Sequence, residues 1–229
     1  MLVIEFSLWV LELKYLYGTL DFKRLSEMSA LILSIVNGII LYRNFRRDRA
    51  ILKVGLVHPA VYQWFFRLPP RSYNGHETRR YGFLVYLSVK NKGLREVDVD
   101  YWRLSILTGK EWTKPLCSLN ISEPTVNFEE FGLKVLPVLG LKGIYTDGST
   151  LVKSGHSISG MAYYEFEVWG DLIWDPIIKN EQITVKIQIN SVLENKDSLQ
   201  FEVKNYSYEK VEQMIPNLDK LTGTGCSSK

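Results

Sequence analysis

The side chains able to do chemistry in this sequence are few and scattered. His58, His76 and His156 are the only histidines, and none has a His or Cys companion at the spacing a zinc site needs. Gly155-His156-Ser157-Ile158-Ser159-Gly160 comes near a serine-hydrolase elbow. Its second glycine falls one position late, however, and the run reads as a β-turn rather than a strand-to-helix turn. No glycine-rich phosphate loop occurs. Glu96, Asp98 and Asp100 alternate, so a strand would set all three carboxylates on one face. Such a row suits Ca²⁺ only with further oxygen ligands, and the simpler reading is a solvated strand face. Asp171 and Asp175 fit turn chemistry better than an acid/base pair. The expectation is a protein with no catalytic centre, no metal and no cofactor.

One cluster has binding chemistry. Trp64, Arg67, Arg71, Tyr73, Arg79 and Arg80 interleave guanidinium groups with aromatic rings. Guanidinium groups near a membrane can meet lipid phosphates at roughly 1 kcal/mol per basic residue, or an acidic protein partner. Stacking on nucleic-acid bases uses the same residue types, but the charge balance argues against it. The 28 Lys+Arg and 25 Asp+Glu leave a net +3 over 229 residues, too small a surplus to mark a nucleic-acid binder. An ordinary solvated loop whose aromatics cap the core has the same composition.

These residues need a scaffold. With 46% hydrophobic, 13% aromatic and 23% charged residues, the chain has the composition of a globular domain rather than a disordered or polytopic membrane protein. The two cysteines, Cys117 and Cys226, lie far apart, so no disulfide framework is expected to hold the fold. Asn120-Ile121-Ser122 and Asn205-Tyr206-Ser207 match the glycosylation triplet, an accident if the sandwich is cytoplasmic or bacterial.

The N-terminal part differs from the rest. Met28 to Tyr42 is a run of fifteen uncharged residues, about 22 Å as a helix. Leu25 to Phe45 approaches the roughly 30 Å hydrocarbon core if Glu27 sits at the interface and Arg43 snorkels. A buried or docking helix of a soluble protein is the alternative. Arginines follow the run where a signal peptide would have its cleavage site, so the helix is expected to stay attached. Three basic residues precede the run (Lys14, Lys23, Arg24). Five follow it: Arg43, Arg46, Arg47, Arg49 and Lys53. That imbalance favours a cytoplasmic C-terminal side. Leu2 to Tyr17 suits an amphipathic helix.

From Ile51 onward the pattern is strand-like. Strands are expected at Ile51 to Val57 and Val61 to Phe66, followed by a connection of about fourteen residues from Arg67 to Arg80. Phe83, Val85, Leu87 and Val89 alternate onto one face. In Val97 to Leu107 the apolar parity changes from Val97 and Val99 to Trp102, Leu104 and Ile106, which predicts a bulge near Tyr101-Trp102. Leu133 to Leu136 is a further strand. Residues 150–153 and 157–168 form a hairpin-like block, and Ile183 to Ile189 pairs with Leu199 to Val203. Tyr208 to Met214 is a short helix before Pro216, and Thr222 to Lys229 a loose tail.

Val89-Lys90-Asn91-Lys92-Gly93 followed by an alternating strand with Trp102 resembles part of the immunoglobulin-like or related β-sandwich domains of many uncharacterised bacterial proteins. Leu151 to Gly160, with Tyr164 and Phe166, is similar to a strand-turn-strand of the same domains, and Leu25 to Val57 resembles their hydrophobic helix with an arginine-rich stop. The resemblance implies a mainly β fold, an antiparallel immunoglobulin-like sandwich preceded by N-terminal helices. The organisation would be 1–24 amphipathic helix, 25–49 membrane-anchoring helix and basic stop, 50–206 sandwich, 207–229 short helix and tail. It carries no catalytic residue with it. The expected function is a non-enzymatic, single-pass membrane-anchored module that binds a protein partner through loops or sheet edges and touches lipid, with its β-domain in the cytoplasm. The alternative is a soluble accessory domain in which Trp64, Trp102, Trp112, Trp169 and Trp174 build a ligand surface such as a carbohydrate platform.

Overall fold

The structure, a computed structural model, describes residues 22–59, 61–128, 132–139, 150–191 and 196–220. The expected helix at Leu2 to Tyr17 and the tail from Thr222 lie outside the described residues. The chain divides between Asp48 and Arg49 into two compact units.

The first unit contains α1, a single 26-residue helix from Phe22 to Arg47. Its Ser26–Arg46 stretch of 21 residues contains an 18-residue window of mean hydropathy 1.4 and extends about 30 Å at 1.5 Å per residue. It is long and apolar enough to cross a membrane. Leu31, Ile32, Leu33, Ile35, Val36, Ile39, Ile40 and Leu41 are all exposed. At 100° per residue they cover every side of the cylinder, so no single stripe could bury them against one neighbour.

The second unit is mainly β. Its strands are β1 (Leu52–Leu56), β2 (Gln63–Tyr73), β3 (His76–Asn91), β4 (Val97–Ile106), β5 (Leu116–Cys117), β6 (Thr125–Phe128), β7 (Gly132–Val135), β8 (Leu151–Val152), β9 (Ser157–Val168), β10 (Ile178–Lys179), β11 (Gln182–Ser191) and β12 (Lys196–Asn205), with helix α2 (Tyr208–Met214) near the end. Ten of them form one curled sheet ordered β1-β3-β2-β12-β11-β4-β5, with β9 on β3, β8 on β4 and β10 on β11. β6 and β7 pair separately. β3 organises the fold: β9 follows it from Arg79 to Lys90, while β2 and then β1 occupy its other edge.

The sheet is not purely antiparallel as expected. β2 and β12 run parallel where Trp64 and Phe65 meet Lys204 and Asn205, which makes it mixed. The block at 150–168 is not a hairpin either, because β8 pairs with β4 at Val97 and Asp98 while β9 pairs with β3. The largest departure is at Arg67 to Arg80. In place of a long connection, β2 runs through Pro69-Pro70 to Tyr73, and β3 begins at His76 across a tight Asn74-Gly75 turn with φ of 49° and 82°. Positive φ at both positions is the signature of the Asn-Gly hairpin turn. The prolines fall where the β2–β3 register shifts between Leu68 and Arg71, a break in the ladder that tolerates their missing N–H groups.

The alternation in β3 works as expected. Phe83, Val85, Leu87 and Val89 enter the main core with Leu104 and Ile106 of β4 and Val185, Ile187 and Ile189 of β11. Each such aliphatic or Phe side chain contributes about 1.5–3 kcal/mol on full burial. The parity change in β4 is a bulge: Asn190 and Ser191 are consecutive, yet face Tyr101 and Val99. Asp100 is therefore the extra residue, and both Val99 and Trp102 point inward. On the opposite face of β3, Leu84 joins Phe66, Met161 and Tyr163 in a second cluster, closed by Val211 of α2, Ile215 and Leu218. Gly160 of β9 has no room for a side chain, since a Cβ there would stand 2.6 Å from the Leu139 amide nitrogen.

Asn91, the last residue of β3, is fully buried and saturated. Its Oδ1 accepts from the Gly93 and Ile51 amides at 2.9 and 3.3 Å, and its Nδ2 donates to the Arg95 and Val152 carbonyls at 2.7 and 3.1 Å. Buried amide groups of this kind fix one arrangement of the chain, because losing a partner costs about 1–3 kcal/mol. The two hydrophobic clusters hold the unit together.

Candidate docking surface

The interleaved arginines are brought to one end of β2 and β3, and the sheet provides them with carboxylates. Arg80, expected at an anion site, is buried. Its Nε donates to Glu165 Oε1 at 2.7 Å, its Nη1 to the Pro69 carbonyl at 2.9 Å and its Nη2 to the Asp219 carbonyl at 3.3 Å. Arg71 pairs with Glu167 at 3.0 Å and donates to the same Asp219 carbonyl at 2.7 Å. Burial raises the Glu165 carboxyl above its ordinary range, against the opposing pull of Arg80 and Arg71. These two arginines lock β3, β9 and the chain after α2 together, and their charge is used internally.

Arg79 points the other way. Its Nε lies 2.9 and 3.0 Å from the two carboxylate oxygens of Asp175, and its Nη2 donates to the Gly170 and Asp171 carbonyls at 2.9 and 3.2 Å. The Tyr81 hydroxyl adds a bond to Asp175 at 3.2 Å. The loop after β9 is thereby fastened at both its start and its end. Gly170, at φ +73°, makes the entry turn that a side chain would strain, and Leu172–Trp174 form one 3₁₀ turn.

That fastened loop presents four large apolar side chains to solvent: Trp169 (48% exposed), Leu172 (74%), Ile173 (52%) and Trp174 (40%). Tyr73 at the end of β2 places its ring 5.2 Å from Trp169. Lys110 sets its ammonium 4.5 Å from the centre of the Trp174 ring. A groove of about 400 Å³ runs beside the loop, bordered by Arg67, Leu68, Arg79, Tyr81, Leu172 and Asp175. Arg67 is exposed and forms no ion pair among the described residues.

Of the six expected contact residues, Arg67 and Tyr73 thus border this surface directly. Arg79 braces it, and Arg71 and Arg80 are internal ties. Trp64 lies elsewhere, stacked on Tyr206 at 4.2 Å and 8°. Of the five tryptophans expected on a ligand surface, Trp102 is removed by burial at 3% exposure. Among the basic residues after the apolar run, Arg43 and Arg46 are exposed on α1 and Arg49 opens the second unit; the Arg47 side chain lies outside the description. The residues missed by the sequence reading are Leu172 and Ile173. Their signal was an apolar pair between two tryptophans in a stretch bounded by Gly170 and Pro176, where a loop has no core to face.

His58, His76 and His156 stay apart from one another along the chain, His156 making a local Nδ1 contact with the Ser154 carbonyl at 2.8 Å. Asp98 of the alternating acidic row accepts a hydrogen bond from the Thr150 hydroxyl. No cluster of three or more potential metal ligands occurs among the described residues.

No family model matches the chain, and no curated protein sequence matches it. Among solved structures, the chain is similar to the Northeast Structural Genomics Consortium target SoR45 at 6% identity and a TM-score of 0.30, covering 69% of this chain and 88% of that one. It is also similar to the archaellum periplasmic stator protein FlaG from Sulfolobus acidocaldarius at 9% identity and a TM-score of 0.26, covering 61% of this chain and 99% of that one. Likeness at this level carries no argument about this chain.

Proposed function

We propose that the chain is a non-enzymatic interaction module, held at a membrane by α1, whose β unit docks a protein partner on the loop from Trp169 to Asp175. The observation that carries this reading is the exposure of Trp169, Leu172, Ile173 and Trp174 on a loop that Arg79 holds in place. Tryptophan anchors dominate protein interfaces, and a loop ordered before binding loses less conformational entropy on association. The adjoining groove sets the exposed Arg67 beside Leu172, which suits a partner segment with an apolar side chain followed by a carboxylate. The common core that β3 and β9 share with β4 and β11 supports reading the sheet as a variant of the immunoglobulin-like sandwich.

The pair of rings at Tyr73 and Trp169 favours a second reading, a carbohydrate-binding accessory domain, since sugars stack on such faces. The two are separated by placing a photo-crosslinking residue at Leu172 in the full membrane-bound chain, with a control at the exposed Glu202 on β12. A discrete protein adduct at 172, absent at 202 and lost on Arg67→Glu, supports the docking reading. Absence of any adduct at 172, with retention of the chain on an oligosaccharide matrix that Trp169→Ala abolishes, overturns it in favour of the second.

A further inference from the structure

The chain enters the β unit at a point that two distant turns enclose. Arg47 ends α1 and Arg49 already belongs to the β unit, so no more than about 7 Å of extended chain separates them. Gly93 lies directly against that entry, where a Cβ would overlap the Arg49 carbonyl. The Lys92 amide donates to the Ile51 carbonyl at 2.8 Å. Asn91, whose Oδ1 accepts from the Ile51 and Gly93 amides, accepts from the Gly155 amide on its own carbonyl at 3.1 Å. The Ser154 hydroxyl donates to the Gly93 carbonyl at 2.9 Å. Residues 92–96 and 153–156 are thereby fastened to the first residues that follow α1.

These turns carry charge that the fold does not use. Lys92, Arg95 and Lys153 are exposed and form no ion pair among the described residues. Leu94 lies between the first two in sequence and is 49% exposed, and Ile51 is 40% exposed. Glu96 and Asp48 are exposed carboxylates of the same stretches and offset part of the charge, while the exposed Arg43 and Arg46 of α1 add to it.

We infer that this end of the β unit is a docking surface for the anionic phospholipid headgroups of the membrane that α1 enters. The inference rests on reading α1 as a membrane anchor. The headgroup layer adds about 5–7 Å to each side of the hydrocarbon, and the potential of acidic lipids decays over roughly 8 Å at physiological salt. A basic residue therefore acts on such lipids only where the fold holds it close to the anchor. The ties around Asn91 do this for three residues that are remote from the span in sequence, which a count of the charges flanking the helix misses. Leu94, an exposed aliphatic side chain between two cations, suits the boundary between headgroups and acyl chains. The loop from Trp169 to Asp175 belongs to the other end of β3. Arg79, which holds it, stands twelve residues before Asn91 on that strand, about 40 Å at 3.3 Å per residue. Lipid contact at one end leaves the other open to a protein partner.

The test places a photo-crosslinking residue at Leu94, with a control at Leu172, in the full chain reconstituted into vesicles of equal parts phosphatidylcholine and phosphatidylserine. The expected result is lipid adducts at 94 enriched about fivefold in phosphatidylserine, and none at 172. Lys92→Gln, Arg95→Gln and Lys153→Gln together should return the ratio to one, and high salt should do the same to the native chain. Adducts at 94 that follow the lipid composition, in the native chain and the triple variant alike, overturn the headgroup assignment and leave the anchor standing. So does an absence of lipid adducts at 94 in a chain that resists alkaline extraction. The same enrichment at 172 overturns the placement of the surface. A chain released by alkali overturns the anchor reading and this inference with it. In native membranes, a discrete protein adduct at 94 in place of lipid overturns the inference in favour of an acidic protein partner.

Discussion

The Arg79 guanidinium closes on the Asp175 carboxylate across 96 residues of sequence, with Nη2 2.8 Å from Oδ1 and Nε within 3.0 Å of both oxygens. One side chain on β3 thereby ties both ends of the loop, alongside the Tyr81 hydroxyl on the same carboxylate and the Gly109 amide on the Asp175 carbonyl. The hydrogen bond to Asp175 raises Arg79 above its ordinary value, so the clamp's cation stays charged throughout the physiological range.

Replacing the carboxylate should loosen the loop without unfolding the body. The pair is partly exposed, with side-chain exposures of 35% and 15%, so Asp175→Asn should cost only about 1 kcal/mol of global stability. Amide exchange at Leu172, Ile173 and Trp174 should quicken while that of Val185 and Ile187 in β11 is unchanged. Equal exchange in both proteins would mean that the loop is held by other contacts.

Arg80 is a different case, because its side chain is 1% exposed and that of Glu165 is 5% exposed. Removing one member of such a pair strands the other in a poorly solvated place, and Arg80→Met should destabilise by about 3–5 kcal/mol in urea unfolding. Replacing Glu165 by Leu in the same chain should recover part of the loss. A double variant no more stable than Arg80→Met would show that the penalty comes from packing rather than from an uncompensated charge.

The raised Glu165 carboxyl also gives stability a pH dependence of defined sign. In the window between the unfolded value of about 4.3 and the higher folded value, the folded chain holds more protons than the unfolded one. This group's contribution to stability is therefore greatest below that window and is lost as pH rises through it. Unfolding midpoints measured across the window should show this falling component in the native protein, and Glu165→Gln should lack it. The same slope in both would assign the dependence to another group.

Anchoring depends on the middle of α1. Leu33 is exposed there, and Leu33→Arg should cost roughly 2.5–3.5 kcal/mol of insertion, shifting the chain from the alkali-resistant membrane fraction toward the soluble one. Unchanged fractionation would remove the helix as the anchor, whatever the β unit binds.

Much of the local structure was legible in the residues themselves. The all-round apolar pattern of α1, the alternation of Phe83, Val85, Leu87 and Val89, the parity change that marks the Asp100 bulge and the short helix at Tyr208 to Met214 are all encoded within a few neighbouring residues. Strand and helix periods are properties of the local backbone, so sequence alone determines which faces are apolar.

Tertiary structure decided what met those faces. Nothing local says that β8 pairs with β4 rather than β9, or that β2 lies parallel to β12, because each pairing depends on which edges remain free once β3 has taken β9, β2 and β1. The region from Arg67 to Arg80 shows the same division. Its Asn-Gly pair announced a turn, yet the prolines suggested a loop until the register break in the ladder gave them a place. The fates of the arginines were equally hidden. Glu165 and Asp175 lie 85 and 96 residues from Arg80 and Arg79, and only the β3–β9 ladder brings them within hydrogen-bonding distance. A positive charge can be read from sequence, but whether it is left for a partner or neutralised internally depends on where the sheet delivers the carboxylates.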